Sequence, residues 1–212
     1  MPGTLTSGTV GRPPLPPEGG GFGGDGRGPD WGGARRTSFA GLLVAMAATV
    51  MVFAALTSAY LLRRGMSGDW VAAPLPPLLW LNTGVLLASS VLLETARRRL
   101  RAGRRASFNV WWTAGTVCGI LFLLGQALAW RELREADYYL AGNPGSSFFY
   151  LLTAAHGAHL AGGVAALVYV DVRALRYELG PVRRTAADVS AVFWHFLDGL
   201  WIYLVLLLTF WA

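Results

Sequence analysis

The sequence predicts an all-α fold: an integral membrane bundle of five transmembrane helices, with the N-terminus inside and the C-terminus outside. Three observations predict it. The 212 residues are 54% hydrophobic and 14% charged, too apolar for a domain whose whole surface faces water. The apolar residues gather into five runs, each close to the roughly 20 residues that a helix needs to cross a hydrocarbon core. Arg is also distributed unevenly between the segments that join those runs, which sets the orientation.

Residues 1–36 precede the first run and are rich in Gly and Pro, as in Gly11-Arg12-Pro13-Pro14-Leu15-Pro16-Pro17. Such a stretch buries too little apolar area to offset its ordering entropy, so a disordered cytoplasmic tail is expected. The first apolar run is too long for a signal-peptide core, and no secretory signal is expected. The membrane domain then covers residues 37–212. Its spans are expected at about 39–62, 77–96, 110–130, 147–170 and 189–211. Pro74, Pro76 and Pro77 precede or open the second, where a missing N–H costs little. Asn143-Pro144-Gly145 makes a turn before the fourth, and Gly180-Pro181 breaks the loop before the fifth.

All eighteen basic residues are Arg. Fourteen lie in the tail, the loop between the second and third spans, and the loop between the fourth and fifth. The other four are Arg63, Arg64, Arg131 and Arg134. The richer side is expected to be cytoplasmic, placing the C-terminus outside after five crossings. Because these Arg sit in short loops between apolar runs, the net charge of +6 is not a nucleic-acid signature. Trp70, Trp80, Trp130 and Trp211 are expected at the outer interface, and Trp111 and Trp112 at the inner one. Ala154, Ala158, Gly162 and Ala166 recur at fourfold spacing and are expected to let a neighbouring helix approach closely. The single Cys118 reads as a small buried hydrophobe.

The spans carry few polar groups, and these are the candidate functional residues. His156 and His159 stand at i, i+3, on one helical face. His195 and Asp198 repeat that spacing in the last span. Asp198 lies near the midplane, where an ionised carboxylate costs about 2.5–3.5 kcal/mol or more unless protein surrounds it. With Gln126, these residues are expected to form a structural polar network within the bundle or with a partner. A haem or metal is the competing reading. In a core about 30 Å thick, His159 and His195 differ by about 5 Å in depth, an awkward offset for a shared ligand. No Cys pair, second carboxylate-His set or phosphate loop accompanies them, and no metal is expected. Glu94, Arg97 and Arg98, at i, i+3 and i, i+4, read as an interfacial ion pair or as a lipid head-group site. Asn82, Ser89 and Ser90 are expected to bond between helices.

Several pieces, in order, resemble a known family. They are Phe53-Ala54-Ala55-Leu56-Thr57-Ser58-Ala59-Tyr60, Leu81-Asn82-Thr83-Gly84, Leu124-Gly125-Gln126-Ala127, His156-Gly157-Ala158-His159-Leu160 and Trp194-His195-Phe196-Leu197-Asp198-Gly199-Leu200-Trp201. From about Gly41 to Trp211 the chain resembles subunit III of the haem-copper respiratory oxidases (cytochrome c oxidase), in its short five-span bacterial form. The resemblance implies a multi-pass protein of the bacterial cytoplasmic membrane with no active site of its own, within a complex passing electrons from cytochrome c or a quinol to oxygen. It implies that haem and copper belong to the first and second subunits, and that this chain packs beside the catalytic one. It also implies phospholipid held in a cleft and support of sustained proton uptake. Many members carry a buried Glu in the first span, where this chain has Thr49. Whatever that carboxylate does in the family therefore does not transfer. The alternatives are an accessory protein of a nitric oxide reductase, and a small transporter or haem-binding membrane protein.

Overall fold

A computed structural model describes residues 31–66, 68, 77–137, 143–176 and 181–211. They form five α-helices: α1 Trp31–Met66, α2 Pro77–Arg101, α3 Arg105–Glu135, α4 Pro144–Leu175 and α5 Pro181–Phe210. There is no strand among the described residues. Each helix contains a stretch long and apolar enough to span a membrane. Large apolar side chains face outward on every helix, among them Val44, Met51, Leu81, Val110, Leu124 and Phe210. A surface of that kind suits acyl chains rather than water.

The helices run past the ends of their apolar stretches, and α1 does so most. It begins at Trp31, inside the segment expected to be a tail ending at residue 36. A spanning stretch supplies the costly helical nucleus, and each further residue then adds a hydrogen bond for little entropy. Local contacts hold the extension: Thr37 Oγ1 donates to the Gly33 carbonyl at 3.1 Å, and the Arg35 guanidinium stacks over Phe39. Residues 1–30, Trp70, Pro74, Pro76 and Gly180 lie outside the described residues. At α4, Asn143 caps the helix by accepting from the Ser146 N–H at 2.9 Å, and Pro144 follows in the first turn.

From α2 to α5 consecutive helices are antiparallel, and contacts between them fix the register. Between α2 and α3, Asn82 Nδ2 donates to the Phe122 carbonyl at 3.0 Å and Ser89 Oγ to the Gly115 carbonyl at 2.8 Å. The helices come this close because Gly115 has no side chain: a Cβ there would lie 2.8 Å from Leu93. The joining turn is three residues, with Gly103 at φ +75°, a conformation that glycine adopts without strain. Between α3 and α4, Trp112 Nε1 donates to the Leu167 carbonyl at 3.1 Å and Trp130 Nε1 to Thr153 Oγ1 at 3.1 Å. α1 runs parallel to α5, with Tyr203 Oη donating to Thr57 Oγ1 at 3.0 Å and Tyr60 Oη to the Trp211 carbonyl.

Two expectations are corrected. Trp112 is not an interfacial residue: it is fully buried and bonded across to α4, whereas its neighbour Trp111 is exposed. Of the α4 stripe, Ala154, Ala158 and Gly162 are exposed and Ala166 is half-buried, and a Cβ on Gly162 would meet nothing within 4 Å, so no described helix of this chain approaches closely there. The inward face of α4 is instead His156, Leu160, Gly163, Leu167 and Val170. Close approach happens one residue further on, where Gly163 faces Trp194 and Leu197. The bulkier residues decide which face turns inward, because burying them gains more dispersion contact than burying alanines.

Candidate functional site: a polar seam between α2 and α5

On α2, the residues Ser90, Glu94, Arg97 and Arg101 step by four, three and four. They therefore share one face and span about 16 Å of helix. On α5, Asp188, His195 and Asp198 lie on the opposing face. The antiparallel packing brings the two rows together. Toward the N-terminal end of α2, Trp201 Nε1 donates to Thr83 Oγ1 at 3.0 Å. Further along α2, Ser90 Oγ donates to Asp198 Oδ2 and lies 2.8 Å from His195 Nδ1.

The other side of the His195 ring turns toward the C-terminal end of α2. Its Nε2 is 3.9 Å from Glu94 Oε2. The same carboxylate oxygen takes Arg97 Nη1 at 2.9 Å, and Glu94 Oε1 takes Arg98 Nε at 3.2 Å. Arg97 then crosses to α5, donating to Asp188 Oδ1 from Nε at 3.0 Å and Nη2 at 2.9 Å. Arg101 Nη2 adds a longer contact to that oxygen at 3.4 Å. The seam thus holds two polar clusters, Ser90 with His195 and Asp198, and Glu94 with Arg97 and Asp188, whose nearest approach is the 3.9 Å from His195 to Glu94. Arg97 is the joint of the second, with a side chain only 13% exposed, contacting a carboxylate on each helix. A charge that leaves water needs such partners, because its desolvation otherwise exceeds any single contact.

The five residues expected to form one network occupy two places. His195 and Asp198 belong to the seam. His156 is fully buried among rings: it stacks on Trp201 at 4.9 Å between centroids and meets Phe53 and Phe122 edge-on at 6.5 and 6.3 Å. His159, half-buried, also meets Phe53, at 5.6 Å, and its Nδ1 lies 2.7 Å from the Ala155 carbonyl. Gln126 is buried on α3. Neither ring nitrogen of His156 and neither amide atom of Gln126 has a hydrogen-bond partner. Glu94, Arg97 and Arg98 sit together in the seam as ion pairs. Among the described residues, no three His, Cys, Asp or Glu are grouped as a metal site. Thr49 is buried and bonds only within its own helix, donating to the Ala45 carbonyl at 2.9 Å.

Sequence reading missed Asp188, the α5 partner of Arg97, because it lies just before the last apolar run. The signal that could have found it is its place seven residues before His195, two helical turns away on the same face. The pair Thr113–Asp171, 2.7 Å apart, also escaped notice.

Fold and seam together define a class: a multi-pass helical membrane protein whose buried ionisable groups are used to join its own helices. The sequence profile of cytochrome c oxidase subunit III matches residues 40–212. The chain is 30% identical over 174 residues to a probable cytochrome c oxidase subunit 3 of Mycobacterium tuberculosis, covering 80% of this chain and 86% of that one. It is 28% identical to cytochrome c oxidase subunit 3 of Corynebacterium diphtheriae, with 80% and 86% covered. With the Thermostichus vulcanus protein of the same name it shares 29%, with 79% and 84% covered. The chain belongs to the cytochrome c oxidase subunit III family.

Proposed function

We propose that this chain is a supporting subunit of a proton-pumping terminal oxidase, packing beside the catalytic subunit I and near subunit II and carrying no active site of its own. The observation that carries this reading is the family match over residues 40–212, which includes both His motifs and Asp198. The engagement of the imidazoles supports leaving haem and copper to partner subunits. His195 and His159 hold other atoms with Nδ1, and His156 is enclosed by Trp201, Phe53 and Phe122. In this reading the N-terminus is cytoplasmic, the membrane is the bacterial inner membrane, and phospholipid occupies surfaces near the Arg-rich ends, where Arg99, Arg104 and Arg105 flank the α2–α3 turn.

The test is purification of a tagged chain in mild detergent. A haem-containing subunit is expected to copurify, seen as a Soret band and a larger particle. Recovery of the chain alone would refute the reading. Within that assay, Asp198→Leu removes the acceptor of Ser90 and is expected to reduce copurification, with Asp198→Asn milder because it keeps an acceptor of the same shape.

A further inference from the structure

In the seam, each polar side chain has at least one protein partner, with Asp198 Oδ1 the one buried atom of that row left unbonded. Gln126 and His156 have none. His156 is 0% exposed and both its ring nitrogens are unpartnered, and Gln126 is 4% exposed with both amide atoms unpartnered. Native proteins satisfy the large majority of such atoms, and acyl chains offer no substitute. Two buried side chains, on two different helices, pose the same unmet demand.

They also lie at one depth. The α3–α4 register is set by Trp112 against Leu167, Thr113 against Asp171 and Trp130 against Thr153. One turn back along α3 from Trp130 is Gln126, and three residues along α4 from Thr153 is His156. Phe122, one turn from Gln126 on the same face, has its ring centroid 6.3 Å from that of His156. The two side chains thus stand at the same level of the bundle, with the Phe122 and Trp201 rings against His156, and neither bonds directly to the other.

We infer that a water molecule binds at this level, bridging the Gln126 amide and the His156 imidazole. One water meets one ring nitrogen and one amide atom of the four, and the chemistry of these atoms suits it. A neutral imidazole presents one donor and one acceptor, and the amide presents both kinds as well. One water both donates and accepts, and two to four such partners are what a buried water requires. An ion would need a compensating charge, and both side chains here are neutral. A partner protein cannot serve, because this chain's own helices enclose the site.

The test uses the full chain in its complex in lipid bilayers, with isotope-labelled His. Magnetisation transferred from water protons is expected to reach the carbon-bound ring signals of His156 and to fall to background in Gln126→Leu. Transfer unchanged in Gln126→Leu, or absent from the native chain, would overturn the inference. A direct Gln126–His156 contact in place of the water transfer would overturn it too. Thermal midpoints supply an independent readout. Gln126→Leu and His156→Phe are each expected to lower the midpoint by stranding the other partner. The double variant is expected to fall by less than the two together, since no orphan is left. Additive falls would count against the bridge.

Discussion

The α2/α5 seam and the ring-lined layer around His156 lie in the same bundle and handle polarity in opposite ways. In the seam, acid, base and hydroxyl alternate, some meeting within α2, as Glu94 and Arg97 do, and others across to α5, as Arg97 and Asp188 do. Around His156, aromatic rings supply the contact, and no protein group bonds the ring nitrogens. The seam reaches the helix ends, where Arg98 and Arg101 are largely exposed. There water and pairing together can hold charge, and an error in one contact is partly absorbed by solvent. The His156 layer has no such outlet, so it admits only neutral groups, held by stacking with Trp201, Phe53 and Phe122. Within one fold, distance from the aqueous boundary determines whether a polar side chain serves as a charge or as a flat, packable surface.

That contrast can be broken by substitution, and the largest effect is expected at the joint of the seam. Arg97→Leu leaves Glu94 and Asp188 without their shared cation. We expect a loss of about 2–3 kcal/mol, below the roughly 3–5 kcal/mol for breaking a fully buried pair because these carboxylates are partly exposed. Unfolding in lipid nanodiscs measures it, and a loss under about 0.5 kcal/mol would mean that the ion pairs are ornamental. Next is the apolar side of the comparison. A Cβ at Gly119 would lie 2.6 Å from the Trp194 ring. Gly119→Ala is therefore expected to cost about 1–3 kcal/mol through overpacking. A neutral result would show that Trp194 can shift and that the core is looser than its packing suggests. The smallest effect is expected at Thr49, which belongs to neither region. Thr49→Val removes only a bond to its own helix, and a change under about 0.5 kcal/mol is expected. A large loss there would reveal a partner for the hydroxyl beyond Ala45.

The spans were legible because hydrocarbon imposes a length and a composition that a single chain must satisfy locally. Helix ends were less so. Apolar runs mark where lipid begins, whereas the helix continues until capping or turn chemistry stops it, as at Asn143 and Gly103. The residues of the seam were named from sequence, except Asp188, but their partners were not. Pairing of Arg97 with Asp188 depends on α2 lying beside α5, a choice made by packing between segments ninety-one residues apart. For the same reason, His156 and His195 looked alike by spacing and content. Their separation into a ring-lined layer and an ion-paired seam follows from which neighbour each helix face meets. Trp112 misled because an indole suits an interface, and only the Leu167 carbonyl across from it supplies the reason to turn inward.

The three-residue turn between α2 and α3 has a consequence for biogenesis. With Gly103 folding the chain back on itself, these two segments leave the ribosome as neighbours and are expected to enter the bilayer as a hairpin rather than singly. Asn82 and Ser89 then find their acceptors on α3 without waiting for distant segments, giving the later helices a preformed wall to assemble on.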